Sequence, residues 1–269
     1  MEAIQKQYQG CIATPALWHD STVNNLIQFD LPSNHKTKFD SRIDSNIRLG
    51  KRVEQFIFNY LNSQSETKVL AKNLQIQNNK ITLGELDCIV QQNDTITHLE
   101  VIYKFYLYDN TVGDTELDHW IGPNRKDSLI EKLNKLQHKQ LPLLYKPETQ
   151  LVLNTLHIST KNIMQQVCFK AQLFLPFGMS ELEQANGINP QCIVGFYLHF
   201  DTLHHLKDCK FYIPTKVNWL CDIEIQVPWL TFENFKVEIT PLIQNKTAPL
   251  CWVKFPNGTT KKCFVVWWH

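Results

Sequence analysis

Asp87, Glu100 and Lys104 fall within residues 84–105, GELDCIVQQNDTITHLEVIYKF, which reads as two short apolar strands joined by a polar turn. Successive strand residues alternate faces, so Glu85 and Asp87 share one face of the first strand. His98, Glu100, Ile102 and Lys104 share one face of the second. Two carboxylates and an ammonium can therefore converge. Hydrolysis of a phosphodiester asks for a hard cation on oxygen ligands, a polarised water and a positive group near the developing charge. Asp87 and Glu100 would hold magnesium or manganese, and Lys104 would orient the water or neutralise the scissile phosphate. His98, on the same face, would serve as an extra ligand or base, or simply as a hydrogen-bonded strand histidine. The competing interpretation is an ordinary hairpin carrying charges on its solvent face.

The elements that must position these residues are legible on either side. Residues 47–61, IRLGKRVEQFIFNYL, set Leu49, Val53, Phe56, Ile57 and Tyr60 on one helical stripe, with Arg48, Lys51 and Arg52 near its start and Glu54 beside it. A strand is expected over residues 67–76, then the hairpin. Gly122-Pro123 stops the chain, Asn124 and Asp127 read as an N-cap and its partner, and a helix is predicted over 125–140. Leu129, Leu133 and Leu136 would form its buried face, while Lys132, Lys135 and Lys139 recur on another, either to hold phosphates or as a solvated face. Gln140 would face the site from this helix. Residues 150–158, QLVLNTLHI, read as a strand returning to the sheet.

The order helix, three strands, helix, strand resembles the core of the PD-(D/E)XK superfamily, the restriction-endonuclease-like nucleases that include resolvases and recombination nucleases. The resemblance covers residues 47–158. Within it, GELD followed by HLEVIYKF, then GPN, a lysine- and leucine-rich helix and QLPL at Gln140, is similar to an uncharacterised bacterial family known only as a domain of unknown function. The resemblance implies an α/β fold with an αβββαβ core. It implies Asp87 as the motif aspartate, Glu100 as the motif acid, Lys104 as the motif lysine, and Glu54 as the acidic residue that some members carry on the first helix. One feature departs from the pattern: the superfamily separates its acid and lysine by one residue, whereas Ile102 occupies that place here. Lys104 comes two residues later, on the same face and about 7 Å farther along the strand.

Length and composition bound the remaining possibilities. With 269 residues, 43% of them hydrophobic, the chain can bury one large core or two smaller ones. A formal net charge of +1 supplies no global attraction for nucleic acid, so binding must rest on a local patch. The eight cysteines include no CxxC pair and follow no charged-then-apolar leader, which predicts a reduced, cytoplasmic chain. No apolar run approaches the roughly 20 residues that span a bilayer. No phosphate-cradling glycine loop is present, and His204, His205, Cys209 and Cys221 lack the close pairs of a zinc site.

The expected organisation is an N-terminal arm over 1–45, containing the polar stretch LPSNHKTKFDSRIDSN, a nuclease-like core over 46–158, and a mainly β region over 159–269. In that last region PNGTTK marks a hairpin turn. Its aromatics would be core or, as the alternative, a stacking surface for single strands. The reading is a magnesium- or manganese-dependent nuclease acting on DNA ahead of RNA. Its alternative is a catalytically silent scaffold of that fold, binding nucleic acid or a protein. Self-association or a protein partner would use the C-terminal region.

Overall fold

A computed structural model describes residues 2–19, 22–32, 38–44, 46–179, 181–182 and 187–269. In chain order these form α1 (Glu2–Ala13), β1 (Thr22–Val23), β2 (Leu26–Ile27), α2 (Leu49–Asn62), β3 (Thr67–Asn78), β4 (Ile81–Gln92), β5 (Thr95–Tyr108) and β6 (Trp120–Ile121). There follow α3 (Leu129–Lys135), α4 (Pro147–Thr155), β7 (Met164–Pro176), β8 (Ile193–His199), β9 (Lys210–Tyr212), α5 (Phe232–Gln244), β10 (Leu250–Lys254) and β11 (Thr260–Val266). The fold is mixed α/β. Two units emerge, one of residues 16–103 with 131–170, the other of residues 1–15, 104–130 and 171–269. The division crosses the linear boundaries expected at 45 and 158, because β5 and β7 each run from one unit into the other.

In the unit of residues 16–103 and 131–170, β3, β4 and β5 form an antiparallel meander, with Cys88 opposite Leu99 and Leu74 opposite Leu86. The strand expected at 67–76 and the hairpin that follows it are present, and α2 matches the helix read from the 3.6-residue stripe. Ile76, Leu86, Ile89, Leu143, Leu144, Leu153, Ile158 and Ile163 make one apolar cluster. Burying each such aliphatic side chain contributes about 1.5–3 kcal/mol before entropy is counted. Residues 17–19 and 22–29 belong to this unit too, with Leu17, Trp18, Leu26 and Phe29 buried and Trp18 against Phe169.

Two expectations in this part of the chain are corrected. Residues 150–158 are helix α4 and the turn that ends it, not a strand. Pro147 sits in the first turn, where its missing N–H costs nothing, and Leu153 and Thr149 are buried while Leu151 is exposed. His157, at φ 57°, then breaks the helix, and the returning strand is β7. The helix expected over 125–140 starts only at Leu129. Arg125 has φ 54°, and the Gly122 amide donates to Asp127 O at 2.7 Å, holding this stretch in a turn. At its far end the helix widens into a π turn, Leu136–Gln140, and tightens into a 3₁₀ turn, Leu141–Tyr145, ahead of Pro147.

In the other unit β7, β8, β11, β10 and β9 lie in that order, with β7–β8 and β8–β11 parallel and the remaining pairs antiparallel. The PNGTTK hairpin joins β10 to β11, with Gly258 at the positive φ the turn demands. This region is not purely β. Thr231 caps α5 by accepting from the Asn234 amide, and Phe235 and Ile239 drop one helical stripe onto Phe211, Val253, Cys263 and Val265. The β-like texture of the flanking runs conceals that helix. Trp252, Phe264 and Trp268 are buried, so they are core rather than an exposed stacking surface.

The first residues are structured as well. In α1, Tyr8 and Cys11 are buried, and Gly10 lies so close to Leu220 that a Cβ there would meet its carbonyl oxygen at 2.0 Å. Residues 2–13 are therefore helix rather than arm. The polar stretch at 31–46 falls partly outside the described residues, which omit 33–37 and 45. All eight cysteines are buried, and none is joined in a disulfide.

Candidate functional site

Helix α2 and strands β4 and β5 bring acids together from three elements. Glu85 and Asp87, two apart on β4, project to one face as strand periodicity requires. On α2, Lys51 and Glu54 stand at i and i+3 and are neighbours on the helix surface. Across these elements, carboxylate oxygens of Glu54, Glu85 and Asp87 all lie within 4.8 Å of one another. Lys51 Nζ donates to Glu54 Oε2 at 2.6 Å, to Glu85 Oε1, and to Asn73 Oδ1 at 3.3 Å. Asn73 is held at φ 52° on β3, a backbone conformation that asparagine tolerates better than most residues.

Burial dominates the electrostatics. Asp87 Oδ2 accepts from the Val101 amide at 3.0 Å. That bond and Lys51 favour the carboxylate, but burial first, then the charges of Glu100 and Glu54, push Asp87 up to about 8. Burial likewise raises Glu54, with Lys51 working against it. For Lys51 itself burial pulls downward, but the bonds from Glu54 and Glu85 outweigh it and the net shift is upward. Two of the three acids contact Lys51, and a cation bound among them would favour the ionised form of Asp87 that burial disfavours.

Glu100 occupies a different setting from the one expected. It is fully buried, its Oε1 3.2 Å from His98 Nε2 and its Oε2 accepting from Gln140 Nε2 at 2.5 Å. Gln165 Nε2 donates to Leu141 O at 2.6 Å and lies 3.1 Å from His98 Nδ1. With Nδ1 accepting from that amide, the ring proton sits on Nε2 and is donated to Glu100. Lys132 Nζ donates to Gln140 Oε1 at 2.7 Å. A chain of contacts thus runs Lys132, Gln140, Glu100, His98, Gln165.

The expected site residues therefore separate into groups. Asp87 and Glu54 join in one cluster, and Glu100 acts on Asp87 through its charge while its own oxygens serve His98 and Gln140. Lys104 is occupied elsewhere: its ammonium lies 2.5 Å from Asp127 Oδ2, both residues belonging to the other unit. The capping partner expected of Asp127 is replaced by this ion pair, and Asn124 Oδ1 accepts from the Ala248 amide instead. Of the lysine stripe, Lys132 is committed to Gln140, while Lys135 and Lys139 are exposed on the outer face of their turns.

Glu85 and Lys51 are members of the acidic cluster and its contacts that the sequence reading leaves out of the candidate site. The signals were present: Glu85 shares a strand face with Asp87, and Lys51 is one helical turn before Glu54. What was missing was the packing of α2 against the strands. The donor set is all carboxylate oxygen, the chemistry that suits a hard divalent cation such as magnesium or manganese rather than zinc or copper. Among the described residues no helix is long and apolar enough to cross a membrane.

Comparison with known proteins yields no matching curated protein and no matching solved structure. The family model of a domain of unknown function, DUF1853, matches residues 4–266, and the chain belongs to that family.

Proposed function

We propose that this protein is a metal-dependent nuclease of restriction-endonuclease-like type, hydrolysing phosphodiester bonds in DNA ahead of RNA. The observation that carries the reading is the convergence of Glu54, Glu85 and Asp87 within 4.8 Å, with Lys51 against two of them. The meander with a flanking helix is consistent with the αβββαβ core that the resemblance implies.

Glu54, Glu85 and Asp87 would hold magnesium or manganese. Such an ion, when bound, polarises a phosphoryl oxygen and makes a water more acidic. The chain's own residues supply the rest. The Val101 amide orients Asp87, and burial first, then the charges of Glu100 and Glu54, raise its basicity. Lys51 takes the part expected of Lys104. Its stem is long and its side chain 41% exposed, so the ammonium can swing from the carboxylates to a substrate phosphate without unfolding any element. A point charge there would stabilise the pentacoordinate phosphate as negative charge develops.

The second reading, a silent scaffold that binds nucleic acid or protein, draws on the engagement of Lys104 with Asp127. One experiment separates the two. Single-stranded, duplex, branched and RNA substrates are incubated with magnesium or manganese and wild-type protein, Asp87→Ala or Glu85→Ala. The nuclease reading expects cleavage by wild type and a loss of about 100-fold or more in either variant. Folded wild-type protein that cuts nothing, or variants that cut equally well, would leave the scaffold.

A further inference from the structure

The Lys51, Glu54 stripe of α2 does not end at the acids. Gln55, Phe58, Asn59 and Asn62 continue it at i+4, i+7, i+8 and i+11 from Lys51, and all four line a cleft of about 490 Å³. Lys72 and Asn73 of β3 form another wall, and the segment around Lys38 and Arg42 forms a third. Asn73 belongs to both places, since its Oδ1 accepts from Lys51 Nζ. The cleft therefore opens directly beside the carboxylates.

Its charge is opposite to theirs. Lys38, Arg42 and Lys72 are exposed, and among the described residues no carboxylate pairs with any of them. The single acid in the lining, Asp40, accepts from Asn59 Nδ2 at 2.8 Å and from Ser41. The other lining groups are mostly amides and hydroxyls, the donors that grip phosphate and sugar oxygens. Phe58 offers no stacking face, being 3% exposed. The volume falls in the range of pockets that enclose a ligand of nucleotide size, whereas a duplex, with a major groove alone about 12 Å wide, does not enter it. From Lys51 to Asn62 the helix rises about 16 Å, several nucleotides of a strand.

We infer that this cleft is a track for the sugar–phosphate backbone of one nucleic-acid strand leading to the acidic site, gripping phosphates through Lys38, Arg42 and Lys72 without reading bases. The inference rests on the nuclease reading for its direction, since a cation-lined cleft beside a carboxylate cluster positions the phosphates next to the one that would be cut.

The test is fluorescence anisotropy with a labelled twelve-residue oligothymidylate in EDTA, using full-length Asp87→Ala so that cleavage plays no part. Adding Arg42→Ala and Lys72→Ala together is expected to weaken binding by about 10-fold or more and to lower the salt slope by about two. Arg42→Glu with Lys72→Glu should abolish it. Thermal melts of each variant establish folding, which these exposed positions should leave intact. Unchanged affinity in both double variants overturns the track. So does displacement of the oligonucleotide by polyglutamate at equal charge concentration, which would make the cleft a general polyanion or acidic-peptide surface. Preferential binding of a duplex competitor overturns it as well. The nuclease reading fails separately: binding through Arg42 and Lys72 without any cleavage by wild type keeps the track and removes the enzyme. Cleavage with no effect of these residues on binding does the reverse.

Discussion

The two units bury charge in opposite ways. In one, Glu54, Asp87 and Glu100 are buried close together with Glu85 beside them, and the cation that contacts Glu54 and Glu85 is Lys51. In the other, Lys262 is buried on β11, with its Nζ donating to Gln172 Oε1 at 2.9 Å and Trp219 O at 3.2 Å. The lysine is satisfied by neutral oxygens, and burial pushes it down to about 8. The acids keep hydrogen bonds to Lys51, the Val101 amide, His98 and Gln140, yet burial first and the neighbouring carboxylates second drive Asp87 up to about the same value. A buried charge that the chain balances with its own dipoles is structure. A cluster of acids held this close is where an external cation would be favoured, and that contrast is the reason the acidic cluster is proposed as a site.

The sharpest way to break the contrast is to remove the Lys51 ammonium, which contacts Glu54 and Glu85. Lys51→Ala should lower manganese-dependent cleavage about 100-fold with little change in KM, the behaviour of a group acting in the transition state. Lys104→Ala, which removes only the partner of Asp127, should change it less than about threefold, the scale of a partly exposed ion pair. If Lys104→Ala proved the more damaging, the placement of the catalytic charge on α2 would fall.

A smaller effect is expected in stability against pH, and here the two units should pull in opposite directions. Asp87 titrates higher in the folded chain than in the unfolded one, so the folded state binds more protons between about pH 4 and 8 and stability falls across that window. Lys262 titrates lower when folded, so the unfolded state binds more protons between about 8 and 10.5 and stability rises there. Chemical denaturation at a series of pH values should show the first slope flattened by Asp87→Asn or by manganese, and the second by Lys262→Met. A first slope insensitive to both Asp87→Asn and manganese would mean that the acids are not a linked cation site.

A further consequence is expected of Gln140→Ala. It removes the donor to one Glu100 oxygen while His98 retains the other, and a supporting contact of this kind is worth about 10–100-fold in metal affinity or activity. Its lower end is expected, because the Asp87, Glu54 and Glu85 oxygens remain in place. Calorimetric titration with manganese measures it directly. No change at all would reduce the Gln140, Glu100, His98 chain to packing.

How much of this was legible in the chain differs from element to element. The alternation of β4 placed Glu85 with Asp87, the apolar stripe placed α2, and Asn257-Gly258 placed the last hairpin, since each depends on periods and turns that act over a few residues. Residues 150–158 are ambiguous by themselves because nine apolar and polar residues fit either period, and the deciding facts, Pro147 ahead and the burial of Leu153, involve neighbours outside the run. Helix α5 was hidden for the same reason.

The residue types of the candidate site, its oxygen chemistry and the faces on which Asp87, Glu100 and Glu54 lie were determined by the sequence alone, through the periods of β4, β5 and α2. Which of them meet was decided only by tertiary structure. Glu54 reaches Asp87 because α2 packs on the meander, Glu100 turns to His98 and Gln140 because a π turn delivers the amide, and Lys104 is lost to Asp127 because a turn around Gly122 holds that acid in reach. Each outcome is a competition among partners far apart in the chain, settled by burial and by which charge lies nearest.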